Sequence, residues 1–240
     1  MAIVNDSFEL TVLIPAYEEA ESLSSLLPLI LIELRKLKVT YEVIVVDTKL
    51  ARDNTKQVCD LNGVTYLSRK NGEYYGDAIR TGVLNTKGVY TVIMDADGSH
   101  NPNCISRLWE QRMVCDLVIA SRYIKGGCTD NPVVLIFMSR IVNILFRFTL
   151  NLNCLDVSNS YRLYKSTDLK VLNLKCNNFD IVEEILVSLV NLRKPYRIVE
   201  IPITFEQRKA GKSKRKLVVF AFSYIYVLLR LLNIKKKLKK

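Results

Sequence analysis

Asp95-Ala96-Asp97 sets two carboxylates around one small residue, where the apolar run Val89-Tyr-Thr-Val-Ile-Met94 ends. In an extended backbone, positions i and i+2 face the same side. Two like charges that close together are costly unless a cation lies between or beside them. Carboxylate oxygens with open coordination positions suit Mg2+ or Mn2+ carried in on a diphosphate. A plain polar turn after a strand uses the same three residues, so the surrounding sequence has to decide. His100 follows at once and reads as a loop hydrogen-bonder.

The elements that must position these residues alternate along the first half of the chain. Leu10–Ile14 is a short apolar run that stops at Pro15, as a buried strand does. Leu23, Leu26, Leu27, Ile30, Leu34 and Leu37 then recur at helical spacing. Strands are predicted at 42–46, ending on Asp47, at 64–68, at 89–94 and at 116–120, the last running into Ser121-Arg122. Helices are predicted around 77–86 and after Pro102. Such alternation makes an α/β fold, a mostly parallel sheet flanked by helices. Polar residues follow the strands at Pro15–Glu19, Asp47, Asp95–Asp97 and Arg122. Ligands of open α/β sheets bind just beyond the carboxyl ends of strands, so these positions are expected to converge on one crevice.

The second half is less regular. Pro132–Leu150 reads as a long apolar helix in which Arg140, Asn143 and Arg147 share one face. Asp180–Leu192 reads as another helix, and Tyr196–Phe205 as a last strand that Pro202 confines to an edge.

Charge is distributed unevenly. Residues 1–206 carry 23 basic and 24 acidic side chains, whereas residues 207–240 carry 12 basic and none acidic. That division matches a domain at 1–206 and a basic loop with a C-terminal apolar helix at 207–240. The six cysteines form no CxxC pair, and one histidine is too few for a Cys/His metal cluster. Residues Met1–Glu9 lack a charged start followed by an apolar stretch, so the cytosol or a cytosolic membrane face is expected. Nucleic-acid binding is disfavoured, because the basic tail lacks the interleaved aromatic and polar groups of a base-reading surface.

The motifs taken together resemble family 2 glycosyltransferases. They are Leu13-Ile-Pro-Ala-Tyr-Glu-Glu19, Val45-Val-Asp47, Gly76-Asp-Ala-Ile-Arg-Thr-Gly82, Met94-Asp-Ala-Asp-Gly-Ser-His-Asn-Pro102 and Ala120-Ser-Arg-Tyr123. Asp156–Tyr164, Val182–Leu186, Val199–Ile203, and Arg208 with Gly211–Lys214 continue the order. Within the family, the polyprenyl-phosphate mannosyltransferase branch is the most similar. The resemblance implies a GT-A fold with a Rossmann-like sheet, a nucleotide-sugar donor, a divalent metal and inversion at the sugar carbon. It implies nucleotide contacts at Pro15, Tyr17, Glu19, Val46 and Asp47. Asp95, Ala96 and Asp97 take the diphosphate and metal segment, with Ser99 near the metal. Arg122, Arg208 and Lys214 match cations that face the diphosphate. Fixed cations there stabilise the charge that grows on the leaving group.

One position departs from the family pattern. Thr48 stands where a second consecutive aspartate usually helps hold the nucleoside, so GDP-mannose and a UDP-sugar both remain open as donors.

The acceptor is read from chemistry. A sugar hydroxyl needs a general base, for which Asp156, Glu183 and Glu184 are candidates. A lipid phosphate is already anionic and needs cations and an apolar groove. Ser139, Arg140 and Asn143 match the mannosyltransferase branch, with Arg140 as a clamp for the acceptor phosphate. A transferase for sugar hydroxyls and a non-catalytic membrane-associated scaffold are the rival readings.

Leu217–Leu229 contains no charge, and Arg230 separates it from Leu231-Leu232. Sixteen helical residues reach about 24 Å, short of the ~30 Å hydrocarbon core. With five lysines in the last six residues, this helix is expected to lie on an anionic membrane surface rather than cross it. Integral relatives continue into further spans; here a membrane-anchoring partner subunit is the alternative.

Overall fold

The computed structural model describes residues 8–192, 195–206 and 217–238, with side chains at 226–236 in the last stretch. Arg208 and Lys214 lie outside the described residues. The first half follows the expected alternation: β1 (Leu10–Pro15), α1 (Ala20–Lys36), β2 (Tyr41–Asp47), α2 (Thr55–Asn62), β3 (Thr65–Ser68), α3 (Tyr75–Asn85), β4 (Tyr90–Ile93), α4 (Cys104–Glu110) and β5 (Leu117–Ser121). The second half holds β6 (Cys128–Thr129), α5 (Val133–Leu150), β7 (Arg162–Lys165), α6 (Ser166–Lys170), α7 (Ile181–Leu192), β8 (Ile198–Pro202), β9 (Thr204–Phe205) and α8 (Leu217–Leu238).

Seven strands form one sheet in the order β3-β2-β1-β4-β7-β5-β8, and only β7 runs against the others. The strands are apolar on both faces because helices cover both. Val12 and Ile14 pack with α1 and α4 through Leu23, Leu27, Ile30, Ile105 and Leu108. Leu13, between them, faces the other way and joins Ile79, Phe146, Ile185 and Leu186 of α3, α5 and α7. A side chain at Gly82 would collide with Leu13, so α3 lies close against β1 only because that position has no Cβ.

α2, β6, β7 and α6 have no counterpart in the sequence reading, and three further features differ from it. The expected strand at 196–205 is two strands: β8 closes the sheet edge, and β9 pairs with β6 beyond Pro202, which has no amide proton for a ladder. The polar stripe expected on α5 is split. Asn143 is buried, Arg140 is exposed, and the outward face is apolar, with Val133, Val134, Phe137, Ile141, Ile144, Leu145 and Phe148 exposed. The described part of α8 is packed into the body rather than lying apart from it. Leu228 and Leu231 are buried in the α7 side of the core, and Arg230 meets Asp180 at 3.5 Å. Tyr226 and Leu229 of the same helix face outward.

Candidate active site

β1, β2, β4 and β5 are mutually parallel, so their carboxyl ends share one rim of the sheet. The four polar segments expected to converge therefore lie along that rim. At the first pair of ends, Pro15 closes β1 and the Ala16 amide donates to the Val46 carbonyl at 2.9 Å. Tyr17 stays over a third exposed, with the guanidinium of Arg52 5.2 Å and that of Arg69 6.0 Å from its ring centre. Glu19 accepts from the Ser22 hydroxyl at the start of α1.

Asp47 is buried at the end of β2. Burial pushes its carboxyl up from the ordinary value, against the opposing hydrogen bonds from Thr48 and Tyr66 and the nearby charge of Arg69. Thr48 is fully buried and donates to the Leu50 carbonyl at 2.7 Å, so it shapes the turn instead of facing a ligand. Asp53 takes the Ala20 amide at 2.9 Å and the Thr55 amide at 2.9 Å, tying this loop to α1. Arg69 is a buried cation in the same corner. It donates to the carbonyls of Ala16 and Glu73, and its own amide donates to the Asp47 carbonyl.

β4 ends at Ile93, and Asp95–Asp97 lies in a bend rather than in extended chain. Gly98 completes the bend at φ 78°, a left-handed conformation that a glycine adopts without steric cost. Both carboxylates are held. Asp95 accepts from the Tyr75 hydroxyl at 3.3 Å and from the Ser160 hydroxyl at 3.0 Å, one on each oxygen. Burial, reinforced by the Asp95 charge, pushes the Tyr75 phenol well up, so it keeps the proton it donates. Asp97 accepts the Ser99 amide at 3.0 Å and hydroxyl at 2.6 Å. Ser99 is buried, and its hydroxyl is directed at that carboxylate. Ala96 is buried between the two acids.

At the far end of the rim, Arg122 lies beside Asp156, which is fully buried. Arg122 lies 5.0 Å and Arg140 5.7 Å from the centre of the Tyr123 ring, so both guanidinium groups border it. The Tyr123 hydroxyl donates to Ser139 at 2.7 Å. Asn143 donates to the Ser139 carbonyl and accepts the Val157 amide at 2.5 Å, which fastens α5 to the Asp156 loop. Two of the three carboxylates considered as bases are engaged elsewhere: Asp156 holds Arg122, and Glu184 takes the amides of Lys175 and Cys176; Glu183 is buried in α7.

The profile of glycosyl transferase family 2 matches residues 11–172. The chain belongs to that family. An undecaprenyl-phosphate mannosyltransferase of Micrococcus luteus is 34% identical over 217 residues, covering 84% of this chain and 85% of its own. A polyprenol monophosphomannose synthase of Mycolicibacterium smegmatis is 30% identical over 224 residues, covering 89% and 83%. The fold is also that of glucosyl-3-phosphoglycerate synthase from Mycobacterium tuberculosis, solved with Mn2+, uridine diphosphate and glucosyl-3-phosphoglycerate. Its TM-score is 0.72 at 17% identity, covering 94% of this chain and 80% of that one. The α/β architecture is therefore the GT-A fold of the family 2 glycosyltransferases.

Family 2 membership sharpens the test for a metal. Among the described residues no group of three or more His, Cys, Asp or Glu side chains forms a protein-only cage. Asp95 and Asp97 would hold a hard cation together with diphosphate oxygens and water, an all-oxygen donor set that suits Mg2+ or Mn2+. Sequence reasoning named the acids but missed Tyr75 and Ser160, which hold Asp95, as well as Asn159 behind His100 and Arg69 beside Asp47. Spacing carries no signal for these, because they come from α3, the loop before β7 and the end of β3.

Proposed function

We propose that this family 2 enzyme transfers a hexose from a nucleotide sugar to a polyprenyl phosphate at a membrane surface, inverting the sugar carbon. The carrying observation is the acceptor end. Two arginines border Tyr123, Asp156 and Glu184 are held in other contacts, and the outward face of α5 beside them is apolar. A phosphate acceptor needs cations and a greasy path for its chain, and no general base. The names of the mannosyltransferase relatives support the same acceptor class and favour mannose as the sugar.

In this reading Tyr17, Pro15, Glu19, Val46 and Asp47 hold the nucleoside, with Arg69 behind them. Asp95 and Asp97 hold the metal, with Ser99 as support. A bound Mg2+ or Mn2+ supplies charge neutralisation on the departing diphosphate. Arg140 orients the acceptor phosphate so that one of its oxygens attacks C1 of the sugar. The bond from C1 to the diphosphate oxygen breaks with its electron pair, and nucleoside diphosphate leaves. Arg122, Arg208 and Lys214 face that growing charge.

α5 is the membrane-facing element. Its 18 residues have a mean hydropathy of 1.9, and only 17% of them are buried. At ~1.5 Å per residue it spans about 27 Å, and its buried side anchors it to the body, which suits a helix lying in the interface. The lysine-rich end of α8 adds attraction to anionic lipid, and a membrane-anchoring subunit would dock on the same side. The test is a panel of nucleotide sugars, GDP-mannose and UDP-glucose among them, each mixed with Mn2+ and a short-chain polyprenyl phosphate. Radiolabel moving into the organic phase supports the reading. Donor hydrolysis without lipid product, or no nucleotide-sugar binding at all, overturns it.

A further inference from the structure

We propose that His100 is a positioning residue: with Asn159 it forms a strut that holds the Asp95 segment at a set distance from the Arg122 strand end. The proposal rests on the reading of Asp95 and Asp97 as the metal and diphosphate segment.

His100 is fully buried. Its ring stacks on Tyr161, with centroids 4.7 Å apart, and meets the edge of Phe205 at 5.5 Å. Nδ1 accepts the Asp95 amide at 3.0 Å. An imidazole nitrogen that accepts an N–H carries no proton itself, so the ring proton sits on Nε2. Nε2 then donates to Asn159 Oδ1 at 3.2 Å, and Asn159 Nδ2 donates to the Ala120 carbonyl at 2.5 Å. Ala120 stands two residues before Arg122 on β5.

β4 and β5 are not neighbours, because β7 lies between them. The backbone links between them run through β7 and through the 203–206 segment, which bonds both Ser99 and Ser121. His100 and Asn159 add a direct side-chain link from the Asp95 amide to the Ala120 carbonyl. In that reading the Asp95 carboxylate and Arg122 both face the donor diphosphate, so their separation must suit the diphosphate between them. A buried histidine has to satisfy both ring nitrogens in any case; what points to the site is the partner, because one nitrogen holds the backbone amide of Asp95, which reads as a metal ligand. Supports of metal ligands typically change metal affinity by about 10–100-fold when removed.

The experiment measures Mn2+ binding by electron paramagnetic resonance in the presence of GDP or UDP, with thermal unfolding to check the fold. His100→Phe keeps an aromatic ring on Tyr161 and removes both nitrogen contacts. His100→Asn keeps an acceptor that reaches the Asp95 amide. His100→Gln carries its amide further out, towards Asn159. The expected result is Mn2+ affinity lowered about tenfold or more in the Phe variant, and lowered in both the Asn and Gln variants, each of which keeps only one end of the strut. A lowered kcat should accompany each loss. A folded Phe variant with wild-type affinity overturns the proposal. Wild-type affinity in both the Asn and Gln variants overturns it too, and that comparison stands even if the Phe variant does not fold. Wild-type protein that takes up no Mn2+ with either nucleotide overturns the donor-site reading as well.

Discussion

Arg122 grips Asp156 at both carboxylate oxygens. Nε and the backbone amide of Arg122 lie 2.8 and 2.9 Å from one oxygen, and an Nη lies 2.7 Å from the other. Asp156 is fully buried, so the arginine is fixed in direction by a group that cannot itself turn towards a substrate. This pairing makes Arg122 part of the fold as well as of the site. Removing one partner of a buried pair costs about 3–5 kcal/mol. Arg122→Ala should therefore lower both the melting temperature and transfer. Arg140→Ala, at an exposed position, should change stability by less than about 0.5 kcal/mol while lowering transfer. Equal melting temperatures for the two variants would show that the buried pair does not carry that load.

Asp97→Ala should abolish transfer and leave the fold intact. The side chain is half-buried and caps its own turn through Ser99, so its loss costs about 1 kcal/mol of stability. Circular dichroism and a transfer assay on the same preparation check this. Full activity would sink the metal role.

Glu18 lies at φ 55° in the nucleotide loop, a left-handed conformation awkward for a side chain with a Cβ. Asparagine tolerates it better, so Glu18→Asn should stabilise the protein by up to ~1 kcal/mol. The exposed contact with Arg52 at 3.8 Å adds little to hold glutamate there. Thermal unfolding decides; a lowered melting temperature contradicts the strain argument.

Burial pushes the thiols of Cys59, Cys104 and Cys154 up to about 12, and it raises those of Cys115 and Cys176 too. A raised thiol value means little reactive thiolate until the pH approaches it. Cys128 is exposed. Native protein at pH 8 should react with a disulfide reagent at one thiol in minutes and at six only after unfolding. Rapid labelling of two or more in the native state would contradict the burial.

Leu231 is fully buried where α8 joins the core, so Leu231→Ala should cost about 2–5 kcal/mol. Phe137→Glu on the outward face of α5, which is 63% exposed, should leave the melting temperature almost unchanged and weaken flotation with anionic liposomes. Unchanged flotation would remove α5 from the membrane face.

Much of this architecture is visible in residue patterns. The buried runs at 10–15 and 41–47, with Leu23, Leu27, Ile30 and Leu34 between them, mark strands and helix through apolar periodicity, and Asp95–Asp97 stands out at a strand end. β7 is hidden because it is four residues long and opens on a buried arginine, Arg162, whose guanidinium donates to the carbonyls of Val157 and Val182 instead of following an apolar pattern. α5 misleads because periodicity finds an apolar face but does not say whether that face points inward. α8 reads as a surface helix until its contacts with α7 are known. The supports of the two acids come from distant elements, and only the fold brings them together.

The acceptor atom is the centre of the functional account, and a matched pair of acceptors tests it most directly. Purified protein with Mn2+ and radiolabelled GDP-mannose, or the nucleotide sugar that the panel selects, is given a short-chain polyprenyl phosphate or the same polyprenol without its phosphate. Label should enter lipid only with the phosphate, and mild acid should release it as free sugar. Transfer to the bare alcohol at a comparable rate, or to a glycan hydroxyl but not the phosphate, would contradict the account.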